Sequence, residues 1–198
     1  MKADAVIHRF SDQLEYSAAL SDEPAWLTFY RRLWPEMVSA VRVDRNCQWQ
    51  RDGIDRVIFL DNGKQFTIDE KKRKKDYGDV LLEEWSVFYG ETDQRNKPGW
   101  ALDGKKRCDY IAYAVPAAGK CYLLPFELLR QAFIEHRSDS SRRSKTYDAS
   151  NEGSVTRSIP VKWKPDLQAA LLQQMLRRFD AVSLALPSPV VNGHQMEF

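Results

Sequence analysis

At 198 residues, with 43% apolar content and six tryptophans, the chain is long enough to bury a substantial core and too apolar for disorder. Its net charge of +2 names no partner, but the cations are clustered: Lys71–Lys75 is unbroken, and between residues 137 and 164 seven Lys/Arg face three Asp/Glu. That distribution fits either a polyanion partner or a solvated face.

Scattered cysteines (Cys47, Cys108, Cys121) and distant histidines (His8, His136, His194) suggest neither a disulfide framework nor a zinc site. The first twenty residues hold Asp4, Asp12 and Glu15 and no apolar leader core, and no run approaches the length of a membrane span. The expectation is a cytoplasmic protein with no membrane partner.

Along the chain, Ser21 and Asp22 are N-cap candidates for a helix whose first turn tolerates Pro24. Trp26, Phe29, Tyr30, Leu33 and Met37 form its stripe, and Pro35 predicts a kink or a second short helix. The stretch 41–50 reads as a short strand leading into Asp52-Gly53. Next comes the segment around which the rest is arranged. Val57–Leu60 and Gln65–Ile68 flank Asp61-Asn62-Gly63-Lys64, and Asn-Gly between apolar runs is a hairpin signal because both residues tolerate positive φ.

After a turn at Asp76–Asp79, alternation of Leu81, Trp85, Val87 and Tyr89 favours a strand. Residues 90–107 read as a long polar connection, of the kind that often carries function. Tyr110–Val115 and Cys121–Leu124 are strands around an Ala-Gly turn, and Pro125 opens a helix to about Arg137. Ser138–Ser154 reads as a mobile loop. Pro165–Asp180 is a helix with Leu167, Leu171, Met175 and Phe179 at period four. Strands grouped rather than alternating with helices give α+β, or an α/β sandwich around a mixed sheet, in one domain over 1–185 with a tail at 186–198.

The hairpin's open end gathers Asp55 with Asp69, Glu70 and Lys71. Alternation sends Asp69 and Lys71 to one face and Glu70 to the other. A two-residue turn would set Asp55 opposite Glu70; a three-residue loop with a bulge would set it opposite Asp69. Apolar pairing (Val57 with Ile68, Phe59 with Phe66) favours the first. Two adjacent carboxylates make a hard oxygen site for Mg²⁺, and a lysine beside them can stabilise developing negative charge or orient a water. The plain alternative is a hairpin mouth with surface ion pairs.

Gly53-Ile54-Asp55, a hairpin, then Asp69-Glu70-Lys71 and a basic run resemble the PD-(D/E)XK nuclease superfamily, with likeness to archaeal Holliday-junction resolvases and small phage or bacterial nucleases. The motif covers about twenty residues, and a looser likeness extends over residues 22–137. The resemblance implies a restriction-endonuclease-like mixed sheet flanked by helices, and Mg²⁺-dependent endonucleolytic hydrolysis of DNA, with Mn²⁺ substituting. It implies Asp55 and Asp69 as metal ligands, the main-chain carbonyl of Glu70 as a further ligand, and Lys71 as the cation that orients water. It also favours the register that sets Asp55 opposite Asp69. Two features depart from the family pattern. No proline precedes Asp55, and the upstream helical Glu has only Glu36 as counterpart, beside a proline; Glu83 or Glu84 could supply another acid.

Lys72, Arg73, Lys74 and Lys75 are candidate phosphate contacts, or else a solubilising turn. Arg142 and Arg143, with Lys145, could clamp DNA or only solvate a loop. Trp100 could stack on a base but reads better as a core anchor. A symmetric homodimer would suit cleavage of both strands. A non-catalytic nucleic-acid-binding module of the same fold is the alternative reading.

Overall fold

A computed structural model of the chain describes residues 24–43, 47–143, 145–151 and 154–185. It is an α+β structure containing two sheets. Helix α1 (Pro24–Leu33) leads into strand β1 (Met37–Arg42), the short helix α2 (Gln48–Arg51), and the hairpin β2 (Arg56–Leu60) and β3 (Gln65–Lys72). Strands β4 (Asp79–Phe88) and β5 (Lys97–Pro98) precede β6 (Tyr110–Val115) and β7 (Lys120–Pro125). Helix α3 (Phe126–Arg143), strands β8 (Tyr147–Asn151) and β9 (Ser154–Lys162), a kinked turn at Trp163–Leu167 in which Lys164 is extended, and helix α4 (Gln168–Ala185) follow.

The first sheet runs β1-β2-β3-β6-β7, and the second β5-β4-β9-β8. Every pairing is antiparallel except β3 with β6. A parallel pair needs a crossover of a dozen or more residues, usually a helix. Here the crossover is β4, β5 and the loop that follows them, so a strand of the second sheet and a long loop do the work of the helix.

The inner strands of the first sheet are buried on both faces, while Val41 of β1 and Phe59 of β2 remain exposed. Ile58, Leu60, Ile68, Ala112 and Ala114 meet Trp26 and Tyr30 of α1. Val57, Ile111, Tyr113 and Val115 join Val80 and Leu82 of β4, Ile159 and Val161 of β9, and Leu129 and Phe133 of α3. Alternation along β6 divides these sets residue by residue.

Pro35 ends α1 rather than kinking it, and Met37 opens β1 instead of closing the helical stripe. The Ser21 and Asp22 caps and the tail at 186–198 lie outside the described residues. Ser138–Ser154 is not a loop: α3 continues to Arg143, and β8 and the start of β9 follow. Pro160 lies in β9 beyond the last β8 pair, Tyr147 with Ser158, so its missing N–H takes no bond from that ladder. Among the described side chains of α4 the buried positions are Leu171 and Gln174, while Met175 is exposed, and Phe179 lies outside those described; a 3.6-residue turn drifts off a strict period of four.

On the α1 face, Arg56 donates to Glu70 at 2.6 Å, both side chains 7% exposed, and the Tyr30 hydroxyl donates to the same carboxylate at 2.9 Å. Removing one member of a buried pair strands the other charge. Arg56→Met should therefore cost about 3–5 kcal/mol in urea denaturation, and the double change Arg56→Met with Glu70→Leu much less. Equal losses for the single and double variants would show that the ion pair is not what the mutation disturbs.

Candidate active site

The hairpin closes with three loop residues. Leu60 N–H donates to the Lys64 carbonyl at 2.9 Å, and Gly63 N–H donates to the Leu60 carbonyl at 3.1 Å. Gly63 has φ 79°, a type I turn followed by a left-handed bulge residue. The register pairs Arg56 with Ile68, Val57 with Thr67 and Ile58 with Phe66. Asp55 consequently falls beside Asp69, and the register that apolar pairing favoured does not form. Asp55 N–H donates to the Ile68 carbonyl at 2.8 Å, and the Asp55 carboxylate accepts the Glu70 N–H at 2.8 Å.

With that register, Asp69 and Lys71 turn between the two sheets, and Glu70 turns to Arg56 and Tyr30 under α1. Asp69 is 1% exposed. Lys71 Nζ donates to its Oδ1, and Lys106 Nζ donates to its Oδ2 at 2.6 Å. Lys106 comes from the crossover loop. It lies across Gly53, where a Cβ would stand 2.8 Å from the Lys106 Cγ and where φ is +78°. Glu83 of β4 completes the cluster and accepts the Trp100 N–H at 3.3 Å. The loop reaches Glu83 because Gly99 has no side chain: a Cβ there would stand 2.6 Å from the carbonyl carbon of Glu83.

Three acids and two lysines thus share a largely dehydrated space. Burial first, then the neighbouring Asp69, push the Asp55 carboxyl up to about 6, against the pull of Lys71. Burial would also raise Asp69, but Lys71 and Lys106 outweigh it and hold that carboxyl below its ordinary value. Burial opposes the charge on Lys71, yet Asp69, Asp55 and Glu83 raise it to about 12, so the ammonium stays protonated. Glu83 is raised, first by burial, against the pull of Lys71 and Lys106. Cys108 is raised to about 12 by burial and Asp69, which makes it a neutral wall of the site rather than a nucleophile.

Among the described residues no group of three or more His, Cys, Asp and Glu side chains has metal-binding geometry. The donor set that is present suits Mg²⁺, which takes one or two carboxylates and completes its shell with water and phosphate. Asp55 is raised by burial and then by the neighbouring Asp69, and a cation between the two carboxylates would relieve their repulsion. The Glu70 carboxylate is committed to Arg56 and Tyr30. Its carbonyl leaves the strand on the same edge as its N–H, toward Asp55, and is the Glu70 group placed to ligate.

The other candidates divide. Glu36 is exposed in the turn before β1, its carbonyl accepting Asp61 N–H at the hairpin tip, the end remote from Asp55. Glu84 points away from the site, toward Arg137 at 3.7 Å. Lys72 shares the α1 face, its Nζ 5.5 Å from the Trp26 ring. Arg73 pairs with Asp79 and lies 4.7 Å from the Tyr77 ring. Lys74 and Lys75 are exposed in the turn after β3. Arg142 and Arg143 end α3, and their side chains lie outside those described; Lys145 is exposed just before β8. Trp100 packs against the core as an anchor.

Lys106 was not singled out by the sequence reading. The available signal was the triplet Lys105-Lys106-Arg107 at the end of the long connection. No family model matches the chain, and no curated protein or solved structure matches it.

An acid whose carboxyl is raised in the folded state binds its proton more tightly there than in the unfolded chain. Stability should therefore fall as pH rises from about 4 to about 6, the cost of ionised Asp55 reaching roughly 2–3 kcal/mol above that window. Asp55→Asn keeps an acceptor for Glu70 N–H without the charge. Urea midpoints should show it more stable than wild type at about pH 8 and nearly equal at about pH 4. A constant difference across that range would mean that Asp55 is not buried against Asp69.

Proposed function

We propose that the protein is a divalent-metal-dependent deoxyribonuclease of PD-(D/E)XK type that hydrolyses phosphodiester bonds with water as nucleophile. One observation carries the reading: Asp69 and Lys71 leave β3 on the face that meets Asp55 in a shielded cluster, while Glu70 is spent on structure. An acid, its neighbour across a hairpin and a lysine two residues on need no such meeting to solvate a hairpin mouth.

Asp55 and Asp69 would hold Mg²⁺, aided by the Glu70 carbonyl. The bound ion would polarise a phosphoryl oxygen and lower the pKa of a coordinated water. Lys71 keeps its proton, so it acts as a fixed positive charge that orients water or meets charge developing on the phosphate, rather than as a base. The ammonium groups of Lys71 and Lys106 outweigh the burial of Asp69 and keep its carboxylate ionised and able to ligate. The exposed Lys105 and Arg107 flank Lys106 in the chain and, with the exposed Lys74 and Lys75, would supply cations for a phosphate backbone.

A second reading also has an observation behind it. Both oxygens of Asp69 are taken by lysines, which would suit a closed, charge-paired cluster in a nucleic-acid-binding module that does not cut. Plasmid nicking separates the two. Wild type should convert supercoiled DNA with Mg²⁺ or Mn²⁺ and lose that activity to a chelator. Lys71→Ala and Asp69→Ala should each lower the rate by about 10²–10³-fold while still binding DNA. Salt-dependent binding with no cleavage under either metal would favour the binding module, and cleavage unchanged by Lys71→Ala would remove the assigned site.

A further inference from the structure

Resting on the nuclease reading, we infer that Lys106 is a placeholder cation, holding the Asp69 oxygen that a divalent ion must take and giving it up when that ion enters. The two lysines on Asp69 are held differently. Lys71 belongs to β3 and is fixed by the parallel ladder with Tyr113 of β6. Lys106 belongs to the loop between β5 and β6. Lys106 N–H donates to the Asp103 carbonyl at 3.3 Å, and the next N–H, of Arg107, donates to the Asp52 carbonyl at 2.9 Å. Those bonds anchor the backbone of the loop, so release of Asp69 requires only a turn of the four-carbon stem out of its notch, with the backbone left in place.

The Lys106 ammonium is not a solvated surface charge. Its side chain is 13% exposed, against 28% for Lys71, and its stem occupies the notch left by the missing side chain of Gly53. The notch places the ammonium on Asp69 Oδ2, the oxygen that Lys71 leaves open.

Charge balance gives the exchange its direction. Asp55, Asp69 and Glu83, when ionised, outnumber Lys71 and Lys106 by one. Replacing the single charge of Lys106 at Asp69 with a divalent ion balances the cluster, because Lys71 and the ion together match the three acids. Without Lys106, metal-free Asp69 would be a buried carboxylate with one partner, a costly state. With it, the pocket stays folded and closed until metal arrives. The released ammonium remains beside Lys105 and Arg107.

The test compares Mn²⁺ binding to the full chain, without DNA, for wild type and Lys106→Met, read by the spin-resonance signal of free Mn²⁺. Removing the competing charge should tighten binding about tenfold. Wild type alone gives a second readout, independent of how the variant folds: reductive methylation of Lys106, followed by peptide mass spectrometry, should speed up several-fold when Mg²⁺ is added. Mn²⁺ bound by wild type, with no tighter binding in the variant and no change in Lys106 labelling, overturns the placeholder and leaves the nuclease reading standing. Wild type that neither binds Mn²⁺ nor nicks DNA overturns both.

Discussion

Asp69 sets the constraint on which the arrangement of the other elements depends. A carboxylate this deeply buried costs several kcal/mol unless it is paired and hydrogen-bonded. Its two oxygens are met by lysines from different parts of the chain, one two residues along β3 and one thirty-seven residues away in the crossover loop. Satisfying it requires the hairpin, the parallel strand β6 and the loop to be in place together. The cluster therefore forms only in the complete fold, and the crossover becomes part of the site rather than a mere connection.

The strand that carries Asp69 separates two kinds of charge by alternation alone. Ile68, Glu70 and Lys72 face α1, where Glu70 with Arg56 and Tyr30 forms a closed hydrogen-bonded group beneath stacked aromatic rings, Tyr30 lying 5.8 Å from Trp26. Asp69 and Lys71 face the second sheet, where the acids exceed the lysines. The first group is balanced by its own partners; the second is left short of positive charge. A closed ion-pair cluster has no need of that shortage; the proposed metal site would use it.

The hairpin, its acids and most of the first sheet were legible because their signals are local: an Asn-Gly turn, alternation in β4 and β6, and apolar runs bounded by turn residues. Register was harder. Matching Val57 with Ile68 assumes a sheet with one apolar face, but here β2 and β3 bury residues on both faces, so Ile68 can serve α1 while Val57 serves the other core. Glycine chemistry at Gly63, together with the placement of Asp69, points to the three-residue loop more directly than apolar matching does. Strand β9 was hidden by Pro160 and its Arg and Ser residues, whose acceptability depends on where β8 stops. Lys106 was hidden for a different reason. Its partner is far away in sequence, and only the parallel β3–β6 pairing carries the loop back across Gly53.

Glu83 shows how the second sheet enters the cluster. Its neighbour Glu84 has the same residue type and a similar sequence setting, yet points toward Arg137. Alternation on β4 decides between them, and Gly99 makes the choice effective by letting the loop backbone approach until Ala101 N–H donates to the Glu83 carbonyl at 3.1 Å and Trp100 N–H meets its carboxylate. A side chain at position 99 would push the loop away from β4. Because the same loop carries Lys106, that displacement would reach Asp69 as well. Gly99 and Gly53 thus fix the two ends of one loop against the cluster, and the site depends on a close backbone approach at both.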